Sequence, residues 1–148
     1  MLITTIKDDI KTAMKAKDAD RVRTLRSVVA AVQEAEVSGT TATELDDAGV
    51  TKVIAAQAKK RVEAATAFAD AGRDEQAAAE RAELAILEHY LPQALTETEL
   101  TDLVDRVLET NGFATKADMG SAMKAVNAEV AGRADGKAVA DLVKSKLL

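Results

Sequence analysis

Pro92 is the only proline in this chain, and on both sides of it apolar residues recur at intervals of three and four. That spacing is the period of an amphipathic α-helix, and no stretch alternates long enough to make a half-buried strand. The residue before a proline is pushed out of the helical region, so Pro92 is the best boundary in an otherwise helical chain. The expected fold is therefore all-α. A larger N-terminal bundle of about four helices takes residues 1–95, and a three-helix C-terminal bundle takes 96–148. At 148 residues, 47% of them hydrophobic, the chain is long enough for a real core without staples.

The stripes can be read one by one. Ile3, Ile6, Ile10, Ala13 and Met14 predict a first helix at about 3–17. Asp18 or Asp20 can cap a second helix, whose stripe is Val22, Leu25, Val28, Val29, Val32 and Ala35. Gly39 can close it in the left-handed conformation. A long third helix, about 46–71, carries Val50, Val53, Ile54, Val62, Ala65 and Phe68 and ends at Gly72. The fourth, about 74–91, carries Leu84, Leu87 and Leu91. Beyond the boundary, Thr96 and Glu99 hold the reciprocal positions of a capping box. The fifth helix then carries Leu100, Leu103, Val104, Val107 and Leu108 up to Asn111-Gly112. A sixth is expected at about 117–131 and a seventh at about 137–147. Gly120 costs the sixth helix about 1 kcal/mol relative to alanine. Close approach to another helix or to a partner is the physical reason to keep it.

The net charge of −5 excludes a uniformly basic nucleic-acid binder, though not a local basic patch. No apolar run approaches the ~20 residues of a membrane span, so no membrane partner is expected. Asp8 and Asp9 interrupt the N-terminal apolar run that a secretory signal needs, and the chain is read as cytoplasmic. Cysteine is absent, which removes disulfides, thiolate nucleophiles and Cys-ligated metals. The single histidine, His89, stands beside Glu88, but adjacent helical residues diverge by about 100° and do not form an acid–base pair. His89 reads as a half-exposed helix-end residue. Asp8-Asp9 and Asp46-Asp47 read as acids near helix starts that complement the helix dipole. Serine offers no nucleophile, because no histidine can be placed beside Ser27, Ser38, Ser121 or Ser145. No catalytic residue, no metal site and no cofactor is assigned.

What remains is basic patterning. Residues 112–148 hold six basic residues, Lys116, Lys124, Arg133, Lys137, Lys144 and Lys146, against four acids, Asp118, Glu129, Asp135 and Asp141. The segment is thus positive in a negative chain. Lys137 and Lys144 lie seven apart, opposite Val139 and Leu142. The connector Gly132–Gly136 leads into a helix N-terminus, where free amides and the dipole can hold a phosphate, with Arg133 as a forked donor beside it. The candidate nucleic-acid-binding set is Arg133, Lys137, Lys144, Lys116 and Lys124, with Gly132 and Gly136. The same residues also fit a plain connector, with Asp135 capping the helix, the glycines making the turn and the lysines solvated. Lys7, Lys11 and Lys15, Lys59-Lys60-Arg61, and Arg21, Arg23 and Arg26 read as solvated faces.

Lys116-Ala117-Asp118-Met119-Gly120, Met123 and Gly132-Arg133-Ala134-Asp135-Gly136-Lys137 together resemble the signature of the GatB/YqeY family. Leu84-Ala85-Ile86-Leu87-Glu88-His89-Tyr90-Leu91-Pro92 resembles that family's motif ahead of the boundary, and Ala71-Gly72-Arg73 its preceding turn. The likeness runs over nearly the whole chain, and to the small stand-alone members. Such proteins often carry Met-Pro where this chain has Asn127-Ala128. The resemblance implies an all-helical fold whose three-helix tail is similar to the C-terminal domain of the GatB component of the aspartyl/glutamyl-tRNA amidotransferase. That tail helps hold tRNA, which makes a tRNA-binding accessory module the leading expectation. An aminoacyl-tRNA synthetase or an amidotransferase would be the protein partner. Two alternatives stand beside it. One is a component of a carbon–nitrogen ligase with glutamine as amido donor, whose catalytic groups the residue inventory does not supply. The other is a helical protein-interaction adaptor without RNA.

Overall fold

The side chains of Asp18, Asp46, Thr96 and Asp135 cap four of the helix starts. The computed structural model describes residues 1–148 and holds seven α-helices and no strand. They are α1 (Leu2–Lys15), α2 (Ala19–Val37), α3 (Asp47–Asp70), α4 (Asp74–Glu88), α5 (Glu97–Asn111), α6 (Met119–Val130) and α7 (Gly136–Lys146). Asp18 starts α2 by accepting from the Arg21 amide at 3.2 Å, and Asp46 starts α3 by accepting from the Gly49 amide at 2.8 Å. Thr96 and Glu99 close the capping box of α5. Gly72 and Gly112 adopt the left-handed conformation just past α3 and α5, at φ 73° and 69°. Gly39 does not play that part. The α2 helix ends at Ser38 in the right-handed region, and the Ser38 hydroxyl donates to the Ala35 carbonyl at 2.9 Å. The left-handed residue of the first turn is instead Lys17, at φ 56°, between α1 and α2.

The expected sixth helix divides. A 3-10 turn, Lys116–Asp118, precedes α6 because the Asp118 carboxylate accepts from the amides of Ala114 and Thr115, at 2.9 and 3.0 Å, and folds the chain back on itself. α6 ends at Ala131 with φ 50°, followed by Gly132 with φ 78°, so two consecutive left-handed residues reverse the chain.

Packing divides the chain into two compact units, Met1–Leu91 and Pro92–Leu148. In the first, Ile6, Leu25, Val28, Val32, Val50, Ile54 and Leu87 form the core. α3 turns inward with Ile54, Ala58 and Ala65. Counting three or four residues between these positions puts Arg61, not Val62, on the inner side. Val62 is accordingly 48% exposed, against the stripe expected from sequence. The Arg61 side chain is 18% exposed and donates from Nε to Glu83 at 2.8 Å, with Glu80 at 3.7 Å, so it does not belong to a solvated face. Met14 also leaves its expected place, at 52% exposed, because α1 buries only Ile6 and Ala13.

Asp8 and Asp9 lie beyond the first turn of α1, so dipole complementation is not their role. Asp9 accepts a hydrogen bond from the Tyr90 hydroxyl, which fastens the end of the α4 segment to α1. Asp46 and Asp47 do sit at a helix start, and Asp47 also accepts from the Leu2 amide at 2.8 Å. His89 is exposed at the α4 C-cap, with its ring edge-on to Tyr90.

The second unit buries Leu100, Val104, Val107 and Leu108 of α5 against Ala122, Val126 and Val130 of α6 and Val139 and Val143 of α7. The end of the chain is pinned there by backbone bonds: the Leu148 amide donates to the Ala114 carbonyl at 3.0 Å, and the Lys116 amide to the Leu148 carbonyl at 3.1 Å.

Burial first, and then the bond to anionic Asp9, hold the Tyr90 phenol well above its ordinary range. The neutral phenol is therefore favoured by folding. That contribution is complete below about pH 10, where the unfolded phenol is also protonated, and is lost as the pH climbs from there toward the folded value. Tyr90→Phe is expected to cost about 1 kcal/mol at neutral pH. In urea unfolding the variant should lose less stability than the parent between pH 7 and about 10.5. Equal losses would show that the phenol is not coupled to the fold.

Candidate nucleic-acid interface

In residues 92–148 the charges separate by element. α5 carries Glu97, Glu99, Asp102, Asp105 and Glu109 against the single base Arg106, and the other basic residues follow it along the chain. Two cations are matched locally. Arg106 pairs with Glu129 at 3.2 Å and Lys146 with Asp105 at 2.8 Å, bonds that tie α5 to α6 and to α7. The remaining five, Lys116, Lys124, Arg133, Lys137 and Lys144, make no ion pair with a carboxylate, and the four lysines are exposed.

These five do not converge on one pocket. Lys137 opens α7 and Lys144 closes it, both away from buried Val139 and Val143. Lys116 is bonded through its backbone to Leu148, past the far end of α7 from Lys137. Eleven residues of helix separate those ends by about 16 Å. Lys124 stands on the exposed side of α6, opposite Ala122 and Val126. The set is a dispersed surface and not a cradle.

Arg133 is the one member with a built position. Its Nε donates to the Gln93 carbonyl at 2.9 Å, while its own carbonyl accepts from the Leu95 amide at 2.8 Å. The guanidinium is thus oriented through one nitrogen, and its two terminal nitrogens keep no protein acceptor. Gly132 serves the reversal, since its φ of 78° is readily adopted only without a Cβ. At the start of α7 the Asp135 carboxylate accepts from the Ala138 amide at 3.2 Å. It caps the helix, as the plain reading of this connector anticipates, and puts a negative charge where a phosphate would have to sit. Gly136 and Gly120 differ from Gly132. Neither has positive φ, and no heavy atom lies within 4 Å of where a Cβ would stand on either. Gly120 is therefore not kept for contact with another helix of this chain.

No group of three or more His, Asp or Glu is gathered for a metal ion. Sequence periodicity does not reveal the paired acids Glu83 and Asp9, because a 3.6-residue period says which side a residue faces but not which helix it meets.

A family described as Yqey-like protein matches residues 3–147. The chain belongs to the YqeY-like family. Among curated relatives, this YqeY-like protein is 35% identical over 105 residues to the altered inheritance of mitochondria protein 41, mitochondrial, of Meyerozyma guilliermondii. That match covers 71% of this chain and 53% of the yeast protein, so the chain spans about half of that relative's length. The protein of the same name from Clavispora lusitaniae is 29% identical over 133 residues, covering 88% of this chain and 76% of its own. Both relatives are named as mitochondrial proteins, and this corrects the reading of the chain as cytoplasmic. No helix is long and apolar enough to cross a membrane.

Two amides, of Thr115 and Ala114, hold the Asp118 carboxyl below the usual carboxylate range. Its contribution to stability is therefore present at neutral pH and is lost as the pH falls below about 4. Asp118→Asn should lower the melting temperature at pH 7, and the difference should shrink progressively in acid. A difference that is constant from pH 7 to about pH 3 would assign the effect to shape and not to charge.

Proposed function

We propose that this YqeY-like protein is a non-catalytic accessory module that binds tRNA through the α6–α7 half of residues 92–148. The observation that carries the reading is the set of five cations left without carboxylate partners there, beside two others that are matched. A polyanion gains most from such unmatched charges, because no existing ion pair has to be broken. Their dispersal over α6, α7 and the turns that precede them suits a long phosphate backbone better than a small anion. Gly120 is exposed and unobstructed, which leaves room for a ribose–phosphate chain to approach α6. Splayed bases have no platform. Phe113 is the one aromatic in this unit, and it packs against the core. Recognition would therefore rest on phosphates and on the folded shape of the RNA. The similarity of this tail to the amidotransferase tail domain supports the same reading. A synthetase or an amidotransferase acting on the bound tRNA is the enzyme that such a module would serve.

Lys124→Gln, Lys137→Gln and Lys144→Gln together test the proposal without touching the core or the Arg133 bonds. In gel-shift titrations of tRNA at several salt concentrations, the parent should bind at low salt and weaken steeply as salt rises. The triple variant should bind less tightly, with its log–log salt slope reduced by about one for each lysine that contacted a phosphate. Absence of binding by the parent at low salt, or an unchanged slope in the variant, would overturn the assignment.

A further inference from the structure

Where Lys17 turns α1 into α2, the first unit leaves an apolar surface open. Ala13 and Met14 from α1 and Ala19 and Val22 from α2 line a groove of about 590 Å³. Ligand sites typically measure roughly 300 to 1,000 Å³. Met14 is 52% exposed in it, an unusual position for a side chain that belongs to an apolar stripe. Lys17 and Arg26 also line it, and neither makes an ion pair. Arg26 rests one terminal nitrogen on the Met14 sulfur, at 3.6 Å.

The other charged residues of the lining are already engaged. Asp18 caps α2 and lies 3.5 Å from the Arg21 guanidinium. Arg23 is held by Asp20 at 2.9 Å and by Glu83 at 3.3 Å. The groove therefore presents two unmatched positive charges over an apolar floor, in a protein whose net charge is −5. On α2 the lining residues Ala19, Val22, Arg23 and Arg26 follow helical spacing, so the surface runs about 10 Å, or two turns.

We infer that this groove docks an acidic amphipathic helix of a partner protein. Two apolar side chains of that helix, one turn apart, would cover Met14 and Val22, and carboxylates beside them would meet Lys17 and Arg26. Charge complementarity selects an acidic occupant. The open form selects a helix, because a lone lipid chain would stay wet along its outer side, whereas a helix covers the groove with its own bulk. A second copy of this chain does not fit the description. Its acidic helix α5 already turns Leu100, Val104, Val107 and Leu108 into its own core, and the most exposed large apolar residues elsewhere, Met1, Val37, Val62 and Leu148, lie far apart along the chain. The surface lies in a different unit from the proposed tRNA contact, and the two assignments stand or fall separately.

The test is a fluorescence anisotropy titration of the full chain with a labelled synthetic helix of about 16 residues, long enough to hold helical structure. It carries two leucines four residues apart, flanked by glutamates. A control peptide replaces the glutamates with lysines. The variants are Lys17→Asn, since asparagine tolerates the left-handed conformation, and Arg26→Gln. Saturable binding of the acidic peptide, none of the lysine peptide, and about tenfold weaker binding by the double variant are expected. Equal helicity of parent and double variant by circular dichroism keeps the comparison valid. If helicity falls, the double variant is replaced by Val22→Gln, which should weaken binding through the floor. Equal affinity for both peptides, or no loss in a folded variant, would overturn the inference. So would binding of laurate or of tRNA at Lys17 and Arg26 in place of the peptide.

Discussion

Arg61 donates to Glu83 at 2.8 Å across the α3–α4 hairpin, and both side chains are less than one-fifth exposed. The hairpin can bring these groups together because the buried residues flanking Arg61 on α3 are small, Ala58 and Ala65, as is Ala77 on α4. Large side chains there would hold the helix axes apart. Glu83 also accepts from Arg23 of α2, so one carboxylate joins three helices. An arginine this sheltered is costly unless paired, and the pairing in turn restricts how α2, α3 and α4 can be arranged. The apolar core supplies the driving force in this unit, and the ion-paired carboxylate helps choose the arrangement.

The same pairing decides which charges remain for other work. In the first unit, Glu83 and Asp20 occupy Arg23, and Asp18 occupies Arg21. Arg26 and Lys17 are left over beside the α1–α2 groove. In the second unit, Asp105 and Glu129 occupy Lys146 and Arg106. The unpaired lysines of α6 and α7 are left over there. In both units, counting charges along the chain misjudges the surface, because a matched cation attracts a distant anion far less than an unmatched one.

Much of this architecture is legible in the sequence. Thr96 with Glu99, Asp18 and the Gly72 and Gly112 stops act through atoms within a few residues of themselves, so local chemistry places those helix ends. Sequence and structure part where a different contact intervenes. Asp118 reads as an acid of the sixth helix, but its reach back to Ala114 and Thr115 cuts that helix short. Val62 reads as a core residue because valine is apolar, yet the Ala58 to Ala65 register gives that side of α3 to Arg61. Of the candidate site, residue types are readable, and so is the Asp135 cap. The bonds that hold Arg133 to Gln93 and Leu95 are not, since the partners lie some forty residues away.

The sequence by itself determined an all-helical chain, because apolar residues at a 3.6-residue period can be buried together only on a helix. It also determined most helix ends and the excess of positive charge after α5. The tertiary structure alone decided which acid meets which base, and therefore which cations stay unmatched. It alone created the groove at Met14, since a stripe shows which side of a helix is apolar but not how far the neighbouring helix covers it. That difference is one of range: helical period and capping act over three or four residues along the chain, whereas pairing and coverage depend on distances set by packing.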